Sequence, residues 1–196
     1  MARENNNLLI IGAGQYGHVA FEIAQAMGCF GEIAFLDDSY KALAECHPER
    51  TLEPKAIEAV EGSLPEIIGT TRDVEKFAGL FRFGFVAIGN PQVRSTLIEK
   101  LQSNGFTPTA LVHPTAYVSP SARLQDGCCI EPLAVVQAGV VLGLGTFVAS
   151  GAVVRHNAVV GAFCHVDCNA VVETGAVVPA STKISCNSVF RKERNS

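Results

Sequence analysis

Gly12, Gly14 and Gly17 form Gly12-Ala13-Gly14-Gln15-Tyr16-Gly17, a Gly-x-Gly-x-x-Gly turn placed directly after the apolar run Leu8-Leu9-Ile10-Ile11. Behind it an apolar pattern of helical spacing runs through Val19, Ile23, Ala24 and Met27 to a stop at Gly28. Glycines in such a turn let backbone N–H groups approach a phosphate, and the following helix offers unpaired N–H groups and the positive end of its dipole. A second strand over 32–36 ends in Asp37-Asp38, about twenty residues past the motif, where the acid of a Rossmann fold holds a ribose hydroxyl. These residue types at this spacing point to a nucleotide. One further strand over 83–88 leads through Gly89-Asn90-Pro91 into a helix over 92–104, and the pattern then changes near Pro114. That leaves room for one mononucleotide-binding half, which argues against a dinucleotide such as NAD.

The other chemistry-bearing side chains are histidines and cysteines. Seven cysteines at 29, 46, 128, 129, 164, 168 and 186 are odd in number and contain no Cys-x-x-Cys pair, which speaks against a disulfide framework and against a zinc knuckle. Packing accounts for Cys128 and Cys164, and nothing beside Cys168 suggests an activated thiolate. His113, in Leu111-Val112-His113-Pro114, reads as a structural residue at a junction. Together with His156 and His165 its spacing fits poorly to the three-histidine zinc centre of a carbonic anhydrase.

What positions the histidines is a repeat. From Val118 to Ile184 an aliphatic residue recurs at every sixth position: Val118, Leu124, Ile130, Val136, Leu142, Val148, Val154, Val160, Val166, Val172, Val178, Ile184. Two residues before each later anchor the side chain is small or β-branched, as at Ala122, Cys128, Ala134 and Ala152. A period of six with one inward aliphatic suits short parallel strands joined by tight corners, each coil stacking on the last. Neither a helix nor a two-residue alternation reproduces it. The stretch between the second strand and residue 77 is irregular; it suggests a short helix over 55–61, a strand over 66–68 and a helical start at Asp73.

Composition narrows the function classes. With 48% hydrophobic residues the 196-residue chain can fill two cores, and a net charge of −4 gives no basic excess for nucleic acid. The N-terminus shows no leader pattern and the apolar runs are of strand length, so the reading is a cytoplasmic protein with no membrane insertion.

Taken in order, the glycine turn, Phe35-Leu36-Asp37-Asp38, Ala87-Ile88-Gly89-Asn90, Leu111-Val112-His113-Pro114 and Gly151-Ala152-Val153-Val154-Arg155-His156-Asn157 resemble the bacterial sugar O/N-acyltransferase family. Its best-understood members are UDP-4-amino-sugar N-acetyltransferases and sialic-acid O-acetyltransferases. The resemblance implies a Rossmann-like nucleotide-sugar-binding half domain over 1–107, followed by a left-handed parallel β-helix over 108–196 with about eighteen residues per coil. It implies acetyl-CoA as co-substrate, a homotrimer with the coenzyme between subunits, and direct acetyl transfer to an amino-sugar in surface glycan synthesis. A sugar O-acetyltransferase is the close variant, and a non-catalytic nucleotide-sugar-binding protein the more distant one. Gly12, Gly14, Gln15, Tyr16, Gly17, Asp37 and Asp38 then fall at substrate-binding positions, and Tyr16 stands where relatives often have His. A tyrosine hydroxyl, titrating near ~10, suits binding better than proton transfer. His156 falls on the family's general base and His165 on a histidine that contacts acetyl-CoA. The residue after the base is commonly acidic; here it is Asn157, which can orient an imidazole without supplying charge, so either another carboxylate such as Glu131 or Asp167 supplies it or the base is intrinsically weaker. After Ile184 the chain has 185–190 and a charged tail, where typical members run one or more further coils, so no C-terminal coenzyme residue is carried over.

Overall fold

The computed structural model describes residues 5–39 and 65–192; the helix expected over 55–61 lies outside the described residues. The chain divides into two compact units, Met1–Pro108 and Thr109–Ser196.

The first unit is a parallel sheet with two helices. Its strands are β1 (Leu8–Ile11), β2 (Ile33–Leu36), β3 (Ile67–Gly69), β4 (Phe83–Val86) and β5 (Thr107–Pro108), in the order β3-β2-β1-β4-β5. The four residues of β1 are all at 0% exposure, which is why this strand reads as an unbroken apolar run: it is central and covered on both faces. Helix α1 (Gln15–Met27) ends where Gly28 takes φ 64°, a left-handed conformation that glycine adopts without penalty. Helix α2 (Pro91–Ser103) starts one residue earlier than the apolar pattern suggests, because the Asn90 side chain accepts from the Gln92 and Val93 N–H groups and Pro91 fills the first helical position. The helical start expected at Asp73 is a single 3₁₀ turn, Val74–Phe77.

The second unit is the coil. Two-residue strands from Leu111–Val112 to Val189–Phe190 form three parallel stacks, and strands eighteen residues apart pair in register, as in Val136↔Val154 and Val154↔Val172. The first face holds Leu111–Val112, Cys129–Ile130, Phe147–Val148, His165–Val166 and Lys183–Ile184; the second runs from Tyr117–Val118 through Val153–Val154 to Val189–Phe190; the third runs from Arg123–Leu124 to Val177–Val178. The architecture is a left-handed parallel β-helix. Each aliphatic anchor is the second residue of a strand, and Val136, Leu142, Val148, Val154, Val166 and Val172 are at 0% exposure. The repeat outruns its sequence signature by one hexad at each end, since Val112 and Phe190 also pack on this core.

A second row of six sits at the corners. Gly127, Leu133, Gly139, Gly145, Gly151, Asn157, Phe163, Asn169, Gly175, Ser181 and Asn187 all have φ between 55° and 70°. Each of these corners from Gly145 onward donates its N–H to a carbonyl one coil back: Gly145 to Asp126, Asn157 to Ala138, Gly175 to His156. Glycine and asparagine tolerate this conformation; Leu133 and Phe163 hold it at a cost of about 1 kcal/mol each.

Candidate active site

In the first unit the chain leaves β1 toward β2 on one side and reaches β4 on the other, so the carboxyl ends of β1 and β4 border the crevice where parallel α/β sheets bind ligands. The three glycines of the turn have different physical reasons to be there. Gly12 sits at φ 101°, and a Cβ on it would press on the Ala87 carbonyl oxygen at 3.0 Å. At Gly17 a Cβ would collide with the Gly12 carbonyl, so α1 can approach the turn only without a side chain. Gly14 is different: it is exposed, extended at φ −72°, and a Cβ there would meet nothing within 4 Å. Its missing side chain leaves room beside the first turn of α1 and serves no internal contact. Gln15 is exposed next to it and Tyr16 is half-buried.

The two acids after β2 are tied into the loops. Asp37 accepts from the Ala13 N–H at 2.7 Å and from the Ser39 N–H at 2.8 Å. Burial alone would raise its pKa, but these hydrogen bonds outweigh it and hold the carboxyl below its ordinary value. The Ala13 amide is therefore engaged by a carboxylate. Asp38 accepts from the Thr71 N–H at 3.1 Å and hydroxyl at 2.9 Å with one oxygen. Two supports escaped the sequence reading. Thr71 is one; the other is Arg94, 1% exposed, whose guanidinium donates to the carbonyls of Ile88 at 2.6 Å and Gly89 at 3.0 Å and so pins the loop after β4. Arg94 lies in the first turns of α2 with no motif around it, and only its burial marks it.

In the coil, His156 stands exposed at the corner between the second and third faces. Its backbone is fixed from both sides: its N–H donates to Gln137 Oε1 at 3.2 Å in the coil below, and its carbonyl accepts from Gly175 at 3.0 Å in the coil above. Asn157 is the left-handed residue of that corner at φ 56°, and its side-chain oxygen occupies the space a Cβ on Gly139 would need. The geometry thus gives Asn157 a backbone task beside His156. Among the described residues none hydrogen-bonds the His156 imidazole.

Neither carboxylate considered as a partner for His156 is directed to it. Glu131, 8% exposed, accepts from the Ser150 N–H at 3.0 Å and hydroxyl at 2.9 Å. Asp167 accepts from the Cys168 N–H at 2.9 Å and pairs with Lys183 at 3.3 Å. Both belong to the corner between the first and second faces, away from the corner of His156. His165 projects from the first face, half-buried and edge-on to Phe147 with ring centroids 6.0 Å apart. The coil therefore places His156 and His165 on different sides of the triangle. His113 Nδ1 accepts the Thr115 N–H at 3.1 Å at the first corner. The described residues contain no group of three or more His, Cys, Asp or Glu side chains fit to hold a metal ion.

Comparison with known proteins joins the two halves. The family model of the PglD N-terminal domain matches residues 7–101. A UDP-N-acetylbacillosamine N-acetyltransferase of Bacillus subtilis (strain 168) is 31% identical over 124 residues, 63% of this chain; the match spans half the length of that relative. The acetyltransferase domain of PglB from Neisseria gonorrhoeae FA1090 superposes with a TM-score of 0.76 at 31% identity, covering 96% of this chain and 93% of that one. The same domain in complex with acetyl coenzyme A gives 0.73 at 30% identity, over 94% and 93%. The coil expected to be short against its relatives is thus matched over nearly all of that domain's length, because the repeat runs on through Val189–Phe190. With a third or so of its residues shared across both units of a solved acetyltransferase domain, the chain belongs to the bacterial sugar acyltransferase family.

Proposed function

We propose that this protein transfers the acetyl group of acetyl-CoA to the amine of a nucleotide-linked amino-sugar. The observation that carries the reading is the match, at 30% identity and across both units, to an acetyltransferase domain solved with acetyl coenzyme A. The similar Bacillus subtilis protein acts on a UDP-linked amino-sugar, as its name states. The crevice beside Gly14 takes the nucleotide-sugar: it offers amides and a helix N-terminus to phosphate, with the Asp37 and Asp38 loops and Gln15 and Tyr16 at its rim.

His156 is the general base. The sugar nitrogen attacks the thioester carbonyl carbon, its proton passes to the imidazole, the C–S bond of the tetrahedral intermediate breaks, and the imidazolium returns the proton to the departing thiolate. No covalent enzyme intermediate is needed. An imidazole titrates in the range where it can both accept and return that proton. Asn157 holds the corner from which His156 projects, and His165 contacts the coenzyme.

Since His156 and His165 lie on different sides of one coil, a site using both draws them from two copies, and a homotrimer packed along the coils provides this. The third face supports that packing: its outward side chains Val159 and Val177 are 39% and 67% exposed. We place the reaction in the cytoplasm, where CoA thioesters and nucleotide-sugars are made. Among the described residues no helix is long and apolar enough to cross a membrane.

The test is thiol release from acetyl-CoA across a panel of UDP-, dTDP- and GDP-linked amino-sugars, together with the mass of the particle in solution. Release with one of the amino-sugars and a trimeric mass are expected. Coenzyme turnover with none of them, or a monomer at micromolar concentration, overturns the reading.

A further inference from the structure

One pair of side chains in the coil is explained by neither the packing nor the acetyl-transfer chemistry. The corner between the first and second faces carries, coil by coil, Pro114, Pro132, Ser150, Cys168 and Cys186. Proline and serine show that this column needs no thiol for its turn. Cys168 and Cys186 are both free and both exposed, whereas Cys128, Cys129 and Cys164 are buried.

The register fixes how close the two cysteines are. His165–Val166 pairs with Lys183–Ile184, the Asp167 N–H donates to the Ile184 carbonyl at 3.0 Å, and the Asn187 N–H donates to the Cys168 carbonyl at 3.0 Å. Hydrogen bonds on both sides therefore stack Cys168 directly against Cys186 at the strand spacing of about 4.8 Å, inside the roughly 4.4–6.8 Å between Cα atoms that a disulfide spans. At the same corner the Asp167 carboxylate accepts from the Cys168 N–H at 2.9 Å.

We propose that Cys168 and Cys186 are an oxidation site: a stacked dithiol that closes to a reversible disulfide joining the last two coils. The oxidant is a low-mass disulfide such as oxidised glutathione. Cys186 as thiolate attacks one of its sulfurs and expels the first glutathione thiolate, forming a mixed disulfide. Cys168 then loses its proton, attacks the Cys186 sulfur and expels the second. The two protein thiols give up two electrons and two protons, and the glutathione disulfide becomes two thiols. This order follows from the surroundings: partial burial first, then the carboxylates of Glu131 and Asp167, push the Cys168 thiol up, so it resolves the mixed disulfide and does not start the exchange. Stacked side chains run parallel, so their Cβ atoms start near the same spacing, beyond the roughly 3.5–4.5 Å usual across a disulfide; closure strains the bond and makes it readily reducible. If the coils pack on the third face, this corner lies opposite to it and stays open to the oxidant.

The experiment is incubation of the full chain with oxidised glutathione, followed by thiol counting in denaturant and a tryptic map. Cleavage after Arg155 and Lys183 puts Cys168 and Cys186 on separate peptides, and fragmentation of the cross-linked pair tells Cys168 from Cys164 on the same peptide. The expected result is a loss of two thiols and about 2 Da, with a Cys168–Cys186 cross-link that dithiothreitol removes. Cys168→Ser, a conservative change on an exposed corner, should instead trap one glutathione on Cys186. A wild-type chain that keeps all its thiols, retains glutathione on Cys186, or cross-links other cysteines overturns the proposal.

Discussion

The two units show their function in opposite ways. In the sheet unit each loop is unique, and the proposed site lies where the strands end. In the coil every position has equivalents one coil above and below, so a functional residue appears as a departure from its column. His156 shares a column with Pro120, Ala138, Thr174 and Lys192; the bond from Gly175 to its carbonyl is one the other corners repeat, and its N–H is held by the Gln137 side chain. The coil supplies a rigid, repeated mount on which a side chain can be changed at small structural cost. Around the crevice of the sheet unit most positions are committed, since Gly12, Asp37, Thr71 and Arg94 each hold a particular loop, and Gly14 is the open one of its turn.

That contrast can be broken at Gly17. A Cβ there meets the Gly12 carbonyl, a backbone atom that cannot step aside, so Gly17→Ala should destabilise the sheet unit by about 3 kcal/mol. The coil should be unaffected. Denaturant unfolding followed separately in the two units measures this, and one shift common to both would mean they do not unfold independently.

Gly14→Val sharpens the same contrast within a single turn. Nothing in the structure opposes the added side chain, so the thermal midpoint should hardly move, yet nucleotide-sugar affinity should fall about tenfold or more as the valine fills the approach to the amides. Unchanged affinity by calorimetry would put the pocket elsewhere.

In the coil the matched test is Asn157. Asn157→Asp keeps a residue that tolerates the left-handed corner and adds a carboxylate beside His156. The charge favours the imidazolium, so the base's pKa rises and the acidic limb of the rate profile moves to higher pH, by about one unit or less at an exposed site. Asn157→Gly should have the smallest effect of all, because glycine also adopts φ 56° and the residue's task is the corner. A large loss of turnover in Asn157→Gly would instead give the amide a direct part in the chemistry.

Much of this architecture could be read from the residues. The row from Val118 to Ile184 identified the coil because every anchor faces the same narrow core, and the run Leu8-Leu9-Ile10-Ile11 identified the central strand because both its faces are covered. The row of corners was equally present in the sequence, as Gly127, Gly139, Gly145, Gly151, Asn157, Asn169, Gly175 and Asn187, but Leu133, Phe163 and Ser181 interrupt it and hide the period. The partners of Asp37, Asp38 and Glu131 were not legible. They are Ala13, Thr71 and Ser150, chosen by loop geometry and stacking, and a carboxylate in a sequence carries no sign of which amide it will meet. The supposed pairing of Glu131 or Asp167 with His156 failed for that reason: closeness along the chain does not tell which corner of the triangle a residue occupies.

The central claim is that one coil histidine moves the proton. On a confirmed amino-sugar, His156→Ala should lower kcat by about 10²–10⁴-fold while the KM values for nucleotide-sugar and acetyl-CoA and the thermal midpoint stay close to those of the wild type. The exposed position of His156 makes the folded state indifferent to the change. Near-native turnover in His156→Ala would contradict the account and leave this histidine as one more side chain on a coil corner.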